Sequence, residues 1–214
     1  NPPIEIPTSA RPLVNLSFAV NYAFGGTNPA GYHAVNILIH GLATLILFGL
    51  TRRALHLPYF EGRFDKSGDW LALTTAALWS LHPLVTETVI YATQRTESMM
   101  ALFYLATLYC SLRYWTALAP VTEIPLESDT NHIVCHRGSR RFWLVLAGLA
   151  CLCGMASKEI MVSAPLMVLL FERTFVAGTI SAALRRSWPL YLVLGVALLL
   201  LAALNINRPH SDTA

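Results

Sequence analysis

Six ionisable or imidazole side chains sit where a mostly apolar sequence has least room for them. Lys158 and Glu159 are adjacent in the middle of the apolar block 142–171, and His82, Glu87, Arg95 and Glu97 share the short polar stretch 82–97. Basic groups of this kind hold an anion such as phosphate, and carboxylates position them or take a proton from a hydroxyl. Charges that recur in this way at helix ends either line a shared cleft or simply solvate those ends, and Lys158-Glu159 resists the second reading best. Ser157 stands ready to cap the helix that follows, whose amino end favours an anion.

A second polar group, His33, Asn36 and His40, recurs at i, i+3 and i+7, one face of a helix. Such a face points into a bundle rather than at lipid, where it serves interhelical hydrogen bonding or substrate contact. His132, Cys135 and His136 match neither a zinc spacing nor the haem-attachment signature. No resident metal or cofactor is expected; a divalent metal accompanying a substrate stays open.

The elements that position these residues follow from composition. Of 214 residues 55% are hydrophobic and 13% charged, with a mean hydropathy of +0.51. Soluble domains carry about 25% charged residues, so the chain reads as an all-α polytopic bundle of about six transmembrane spans. The net charge of +3 comes from Arg and Lys in loops between apolar blocks, which excludes a nucleic-acid partner. An amphipathic helix from Arg11 to Phe24, ended by Gly25-Gly26, places residues 1–31 at the extracytoplasmic surface. Asn28-Pro29 starts the first span, 32–50; Asp69 caps the second, 70–81, which His82-Pro83 interrupts; the third is 98–118. The bundle extends over 32–204, and 205–214 forms an extracytoplasmic tail. Opening on Asn1-Pro2-Pro3, the chain reads as a fragment.

Block 142–171 decides the topology. A single helix of that length measures about 45 Å and buries Lys158-Glu159 at mid-bilayer, at about 2.5–3.5 kcal/mol or more per charge. Two short helices joined at 157–159 remove both problems. With the final span at 188–204 and the amino end outside, eleven of the 15 Lys and Arg residues lie inside. The other four, Arg11, Arg95, Lys158 and Arg208, lie outside. The candidate acids and bases gather on that outer side, with the membrane lipid as their surroundings.

Three strings in order carry a resemblance: RPLVNLSFAVNYAFGGTNPAGYHAVNILIH at 11–40, LHPLVTETVIYATQRTE at 81–97 and SKEIMVSAPL at 157–166. Together they resemble the membrane portion of the protein O-mannosyltransferase-like proteins with tetratricopeptide repeats, of the GT-C glycosyltransferase superfamily, and bacterial relatives. The resemblance implies a partial GT-C-like bundle that transfers sugar from a polyprenyl-phosphate donor to a protein or other hydroxyl on the luminal or periplasmic face. It implies Arg95 and Lys158 at the donor phosphate, Glu87, Glu97 and Glu159 as the candidate catalytic carboxylates that position those basic groups or hydroxyls, and His82 shaping the outer loop. Those relatives also carry an acidic outer-loop motif after an earlier span. No such motif precedes Arg11, so the general base is expected upstream of Asn1. The alternative is a catalytically inactive scaffold or accessory subunit among other membrane subunits. A transporter predicts paired broken helices in two related halves, and the sequence shows no such pairing.

Overall fold

The computed structural model describes residues 11–117 and 137–206, which are helical throughout with no strand among them. The helices are α1 (Pro12–Gly25), α2 (Pro29–Leu55), α3 (Gly68–Ser80), α4 (Pro83–Ile90), α5 (Arg95–Thr116), α6 (Arg137–Met155), α7 (Ala164–Glu172), α8 (Ile180–Arg186) and α9 (Trp188–Ile206). Short 3-10 turns precede α3, α5 and α7, and a π-helical turn, Arg173–Ala177, continues α7.

Local chemistry sets most of these boundaries. Gly26 takes a positive φ of 57° where α1 ends. The Asn28 side chain accepts from Ala30 N–H at 3.0 Å, and Pro29 occupies the first turn of α2. His82 caps α4 by accepting from Leu84 N–H at 3.3 Å, with Pro83 next. Asp69 does not cap α3: Ser67 precedes the helix, and Asp69 in its first turn accepts two bonds from Arg52, at 2.7 and 2.9 Å. Those bonds hold the Asp69 carboxyl below the usual carboxylate range and tie the end of α2 to the start of α3.

Block 142–171 is broken as the charge argument requires. α6 stops at Met155, and the amides of Ser157 and Lys158 both donate to Gly154 O at 3.0 Å. Lys158 is extended (φ −160°, ψ 144°) before the next helical turn starts at Glu159. Ser157 does not cap that turn; its hydroxyl donates back to Cys153 O at 2.9 Å, satisfying a carbonyl at the end of α6.

About six spans are expected, and two or three qualify among the described residues by length and composition. Two helical segments are able to cross a membrane on that basis, Pro29–Leu55 and Glu159–Ala177. A third qualifies if α8 and α9, bent by 90° at Ser187, count as one. α3 has 13 residues, about 20 Å against a hydrocarbon core of about 30 Å. α5 carries Arg95, Glu97 and Arg113, and α6 opens on Arg137, Arg140 and Arg141, which dilute otherwise adequate lengths.

The core lies where α5, α6, α7 and α9 meet, around Leu112, Tyr114, Trp115, Cys151, Val168, Leu190 and Leu194. Small residues let α6 and α9 approach closely: Ala147 and Cys151 are fully buried, and a Cβ on Gly148 would collide with the Val193 side chain. Large apolar side chains face outward instead, Phe24 at 91% and Leu199 at 71% exposed among them, as suits a surface wetted by lipid.

Candidate functional site

The amino end of α5 assembles two polar clusters, one around each of its first charged residues. Arg95, the first residue of α5, is completely buried. Its Nε donates to Asn36 Oδ1 at 2.8 Å, its Nη2 to Asn21 Oδ1 at 2.9 Å and Tyr32 O at 3.1 Å, and its Nη1 to Ser17 O at 3.3 Å and Ser17 Oγ at 3.4 Å. The guanidinium carbon lies 4.4 Å from the Phe18 ring centroid. Every one of these partners is neutral. Five hydrogen bonds, each worth about 1.5–3 kcal/mol when one partner is charged, lock α1 and α2 to α5, and among the described residues no carboxylate neutralises the charge.

Asn36 is the hub of that cluster. Fully buried on α2, it accepts from Arg95, while its Nδ2 donates to Val89 O and Tyr91 O at 3.4 Å each. Those two carbonyls lie at the end of α4 and just after it, where the chain turns toward α5. His40, one turn further along α2, donates to Ser80 O at 3.1 Å and stacks on Trp79 with centroids 5.1 Å apart. His33 is exposed and joins neither contact. The polar stripe on α2 therefore holds α3 and α4 against the bundle through two of its three members.

The second cluster is an ion pair. Lys158 Nζ bonds Glu97 Oε1, with side chains 18% and 34% exposed, so the break after α6 is fastened to the first turn of α5. Glu87 and Glu159 are exposed, and His82 is exposed apart from its capping bond. The structure thus brings Arg95 to Asn36 and Lys158 to Glu97, and leaves Glu87, Glu159 and His33 outside both clusters.

Beside Arg95 lies a groove of about 620 Å³ between α1, α2 and α5. Leu13, Leu16, Val20, Val35 and Met99 make it apolar, and Ser17 and Asn21, both acceptors of Arg95, form its polar part. Among the described residues no acidic one lines it. A groove of this size, apolar for most of its length and with an uncompensated cation behind one wall, suits a long hydrocarbon chain carrying an anionic group.

Ser17, Phe18, Asn21 and Tyr32 are the residues that sequence reasoning missed. Ser17 and Asn21 are four apart and share a face of α1, but an interfacial helix gives no reason for that face to be buried. Glu172 was missed too: completely buried, it accepts from Ser187 and Tyr191 hydroxyls at 2.5 Å each, bracing the bend between α8 and α9. Among the described residues no group of three or more metal-ligand side chains forms. His132, Cys135 and His136 lie outside the described residues.

Comparison with known proteins supports the resemblance carried by the three strings. Protein O-mannosyl-transferase tmtc2 of Xenopus laevis is 30% identical over 151 residues, 71% of this chain and 15% of that protein. F38B6.6 of Caenorhabditis elegans, also a protein O-mannosyl-transferase, is 36% identical over 100 residues, 47% of this chain and 13% of that protein. Tmtc1 of Drosophila melanogaster, of the same description, is 39% identical over 105 residues, 49% of this chain and 11% of that protein. The chain spans between 11% and 15% of the length of these relatives. No family model matches it, and no solved structure matches it.

Proposed function

The chain resembles the membrane portion of the protein O-mannosyl-transferases with tetratricopeptide repeats, and from that premise we propose that it forms part of a membrane-embedded glycosyltransferase. In this reading the donor is a polyprenyl-phosphate sugar and the acceptor a hydroxyl of a protein, met on the extracytoplasmic face. The bundle is a partial GT-C-like one of about six helical passes, with α3 and α4 together completing one and the short α7 another.

The observation that carries the proposal is the apolar groove beside an unneutralised Arg95. The polyprenyl chain lies along Leu16, Val20 and Val35, its phosphate is drawn to the field of Arg95, and Lys158, paired with Glu97 outside the groove lining, is the second basic group assigned to it. Arg95 acts at a distance, since its donors are already engaged. The exposed carboxylates Glu87 and Glu159 are the groups of this chain free to orient an acceptor hydroxyl. A general base then takes the acceptor proton as the acceptor oxygen bonds the anomeric carbon of the sugar, the bond from that carbon to the phosphate oxygen breaks, and polyprenyl phosphate leaves.

The test uses full-length protein reconstituted in lipid with a polyprenyl-phosphate mannose and acceptor proteins. Lys158→Ala and the groove-filling Val35→Trp are each expected to lower transfer tenfold or more, with Glu87→Ala lowering it less. Unchanged transfer with both Glu87→Ala and Lys158→Ala sinks the site assignment.

One observation favours a second reading. Arg95 and Lys158 are both satisfied by protein groups, as in a silent scaffold or accessory subunit of a larger membrane complex. Tight donor binding without transfer by the wild-type protein, or no donor binding at all, would favour it.

A further inference from the structure

A second cavity, of about 470 Å³, opens at the opposite end of the bundle, where the turn after α2 meets the end of α5 and the π-helical turn. Its walls are apolar and aromatic: Leu57, Tyr59, Trp115, Phe175 and Val176. Tyr59 and Phe175 meet edge to face with centroids 5.2 Å apart, and Trp115 lies against Phe171. The charged side chain in this lining is Arg186, which is exposed and forms no ion pair among the described residues.

The charges around the cavity are mostly positive. Arg173 and Arg185 are exposed on the adjoining turns, whereas Arg113 is occupied over the Trp143 ring at 4.5 Å. Of the acids, Glu61 ends the turn that carries Tyr59 without lining the cavity. Glu172 lies behind it, buried and turned to Ser187 and Tyr191. Arg186 is within electrostatic reach of Glu172 but not paired with it. An apolar cavity with a free guanidinium, at the arginine-rich end of a bundle of apolar helices, complements an anionic amphiphile. Basic pockets between membrane helices bind anionic head groups in this way.

We infer that this cavity is a binding site for an anionic phospholipid, with an acyl chain against Trp115 and Phe175 and the phosphate on Arg186. The site is distinct from the groove beside Arg95 and does not depend on the glycosyl-transfer reading. It requires only that the chain lie in a bilayer.

The test places the full chain in nanodiscs of phosphatidylcholine doped with brominated phosphatidylglycerol or, at equal mole fraction, brominated phosphatidylcholine. Bromine on an acyl chain quenches a neighbouring indole, and Trp115 is the indole of this cavity. The anionic lipid is expected to reach half-quenching at about fivefold lower mole fraction than the neutral one, as one arginine at the membrane surface implies. Arg186→Gln, a change on an exposed position, is expected to erase the difference, and Trp115→Phe to remove the saturable part of the signal. Soluble glycerol phosphate is expected to leave the quenching unchanged. Equal quenching by the two lipids, a preference that survives Arg186→Gln, a signal indifferent to Trp115→Phe, or relief by glycerol phosphate would each overturn the assignment.

Discussion

Arg95 brings a whole charge into a site whose acceptors are two amides, two carbonyls and a hydroxyl. Removing one partner of a buried charged network is costly because the remaining groups lose both water and partner. Arg95→Met is therefore expected to destabilise the protein by about 3 kcal/mol, measured as thermal melting in detergent. Lysine has no planar fork, so Arg95→Lys should recover only part of that loss. The Lys158–Glu97 pair is partly solvated, and a double-mutant cycle with Lys158→Met and Glu97→Gln should return a coupling of about 1 kcal/mol. A coupling near zero would show that the pair does not fasten the α6–α7 break. At this scale the sequence was half legible. Asn36 stood out because a polar stripe on an apolar helix must point inward, and Lys158 because a charge in an apolar block must find an interface. Nothing local announced that Lys158 meets Glu97, 61 positions away, or that Arg95 is clasped by α1.

Helix boundaries follow near-neighbour chemistry and so can be read directly. Asn28-Pro29, Gly25-Gly26 and His82-Pro83 fall where capping residues and glycine place them, and the break expected at 157–159 is found one residue earlier, at 156–158. Asn28→Ala is expected to cost about 1 kcal/mol through loss of its bond to Ala30 N–H. Apolar length marked the second span as short, 70–81, and α3 has 13 residues, but it does not reveal how many blocks cross. Nor does it reveal that α8 and α9 meet at 90°. Packing between elements adds a sharper test. A side chain at Gly148 has to push Val193 aside, so Gly148→Val should part α6 from α9 and lower stability by about 1–3 kcal/mol. A thermal melt unchanged by this substitution would mean that the two helices are not in close contact.

At the scale of the whole molecule the open quantity is which end of the bundle faces the cytoplasm. The positive-inside distribution predicts the 54–66 turn in the cytoplasm and α1 outside. Cysteines introduced at Glu61 and Thr27, both exposed, test this in a background whose native cysteines are replaced by serine or alanine. Thr27→Cys is expected to react with an impermeant maleimide in intact cells, and Glu61→Cys only after permeabilisation. The reverse pattern would move the proposed donor site to the cytoplasmic side.

The clasp on α1 also has a consequence in time. Ser17 and Asn21 leave the ribosome long before the guanidinium they hold, since Arg95 lies 78 and 74 residues downstream of them. At about 5–20 residues per second this is a wait of roughly 4–16 s, during which α1 lacks its bonds to α5. An insertase or chaperone that shields an amphipathic helix would meet it in that interval. A ribosome stalled before residue 95 should accordingly hold a nascent chain whose α1 is cut by protease, and one stalled well beyond it a chain whose α1 is protected.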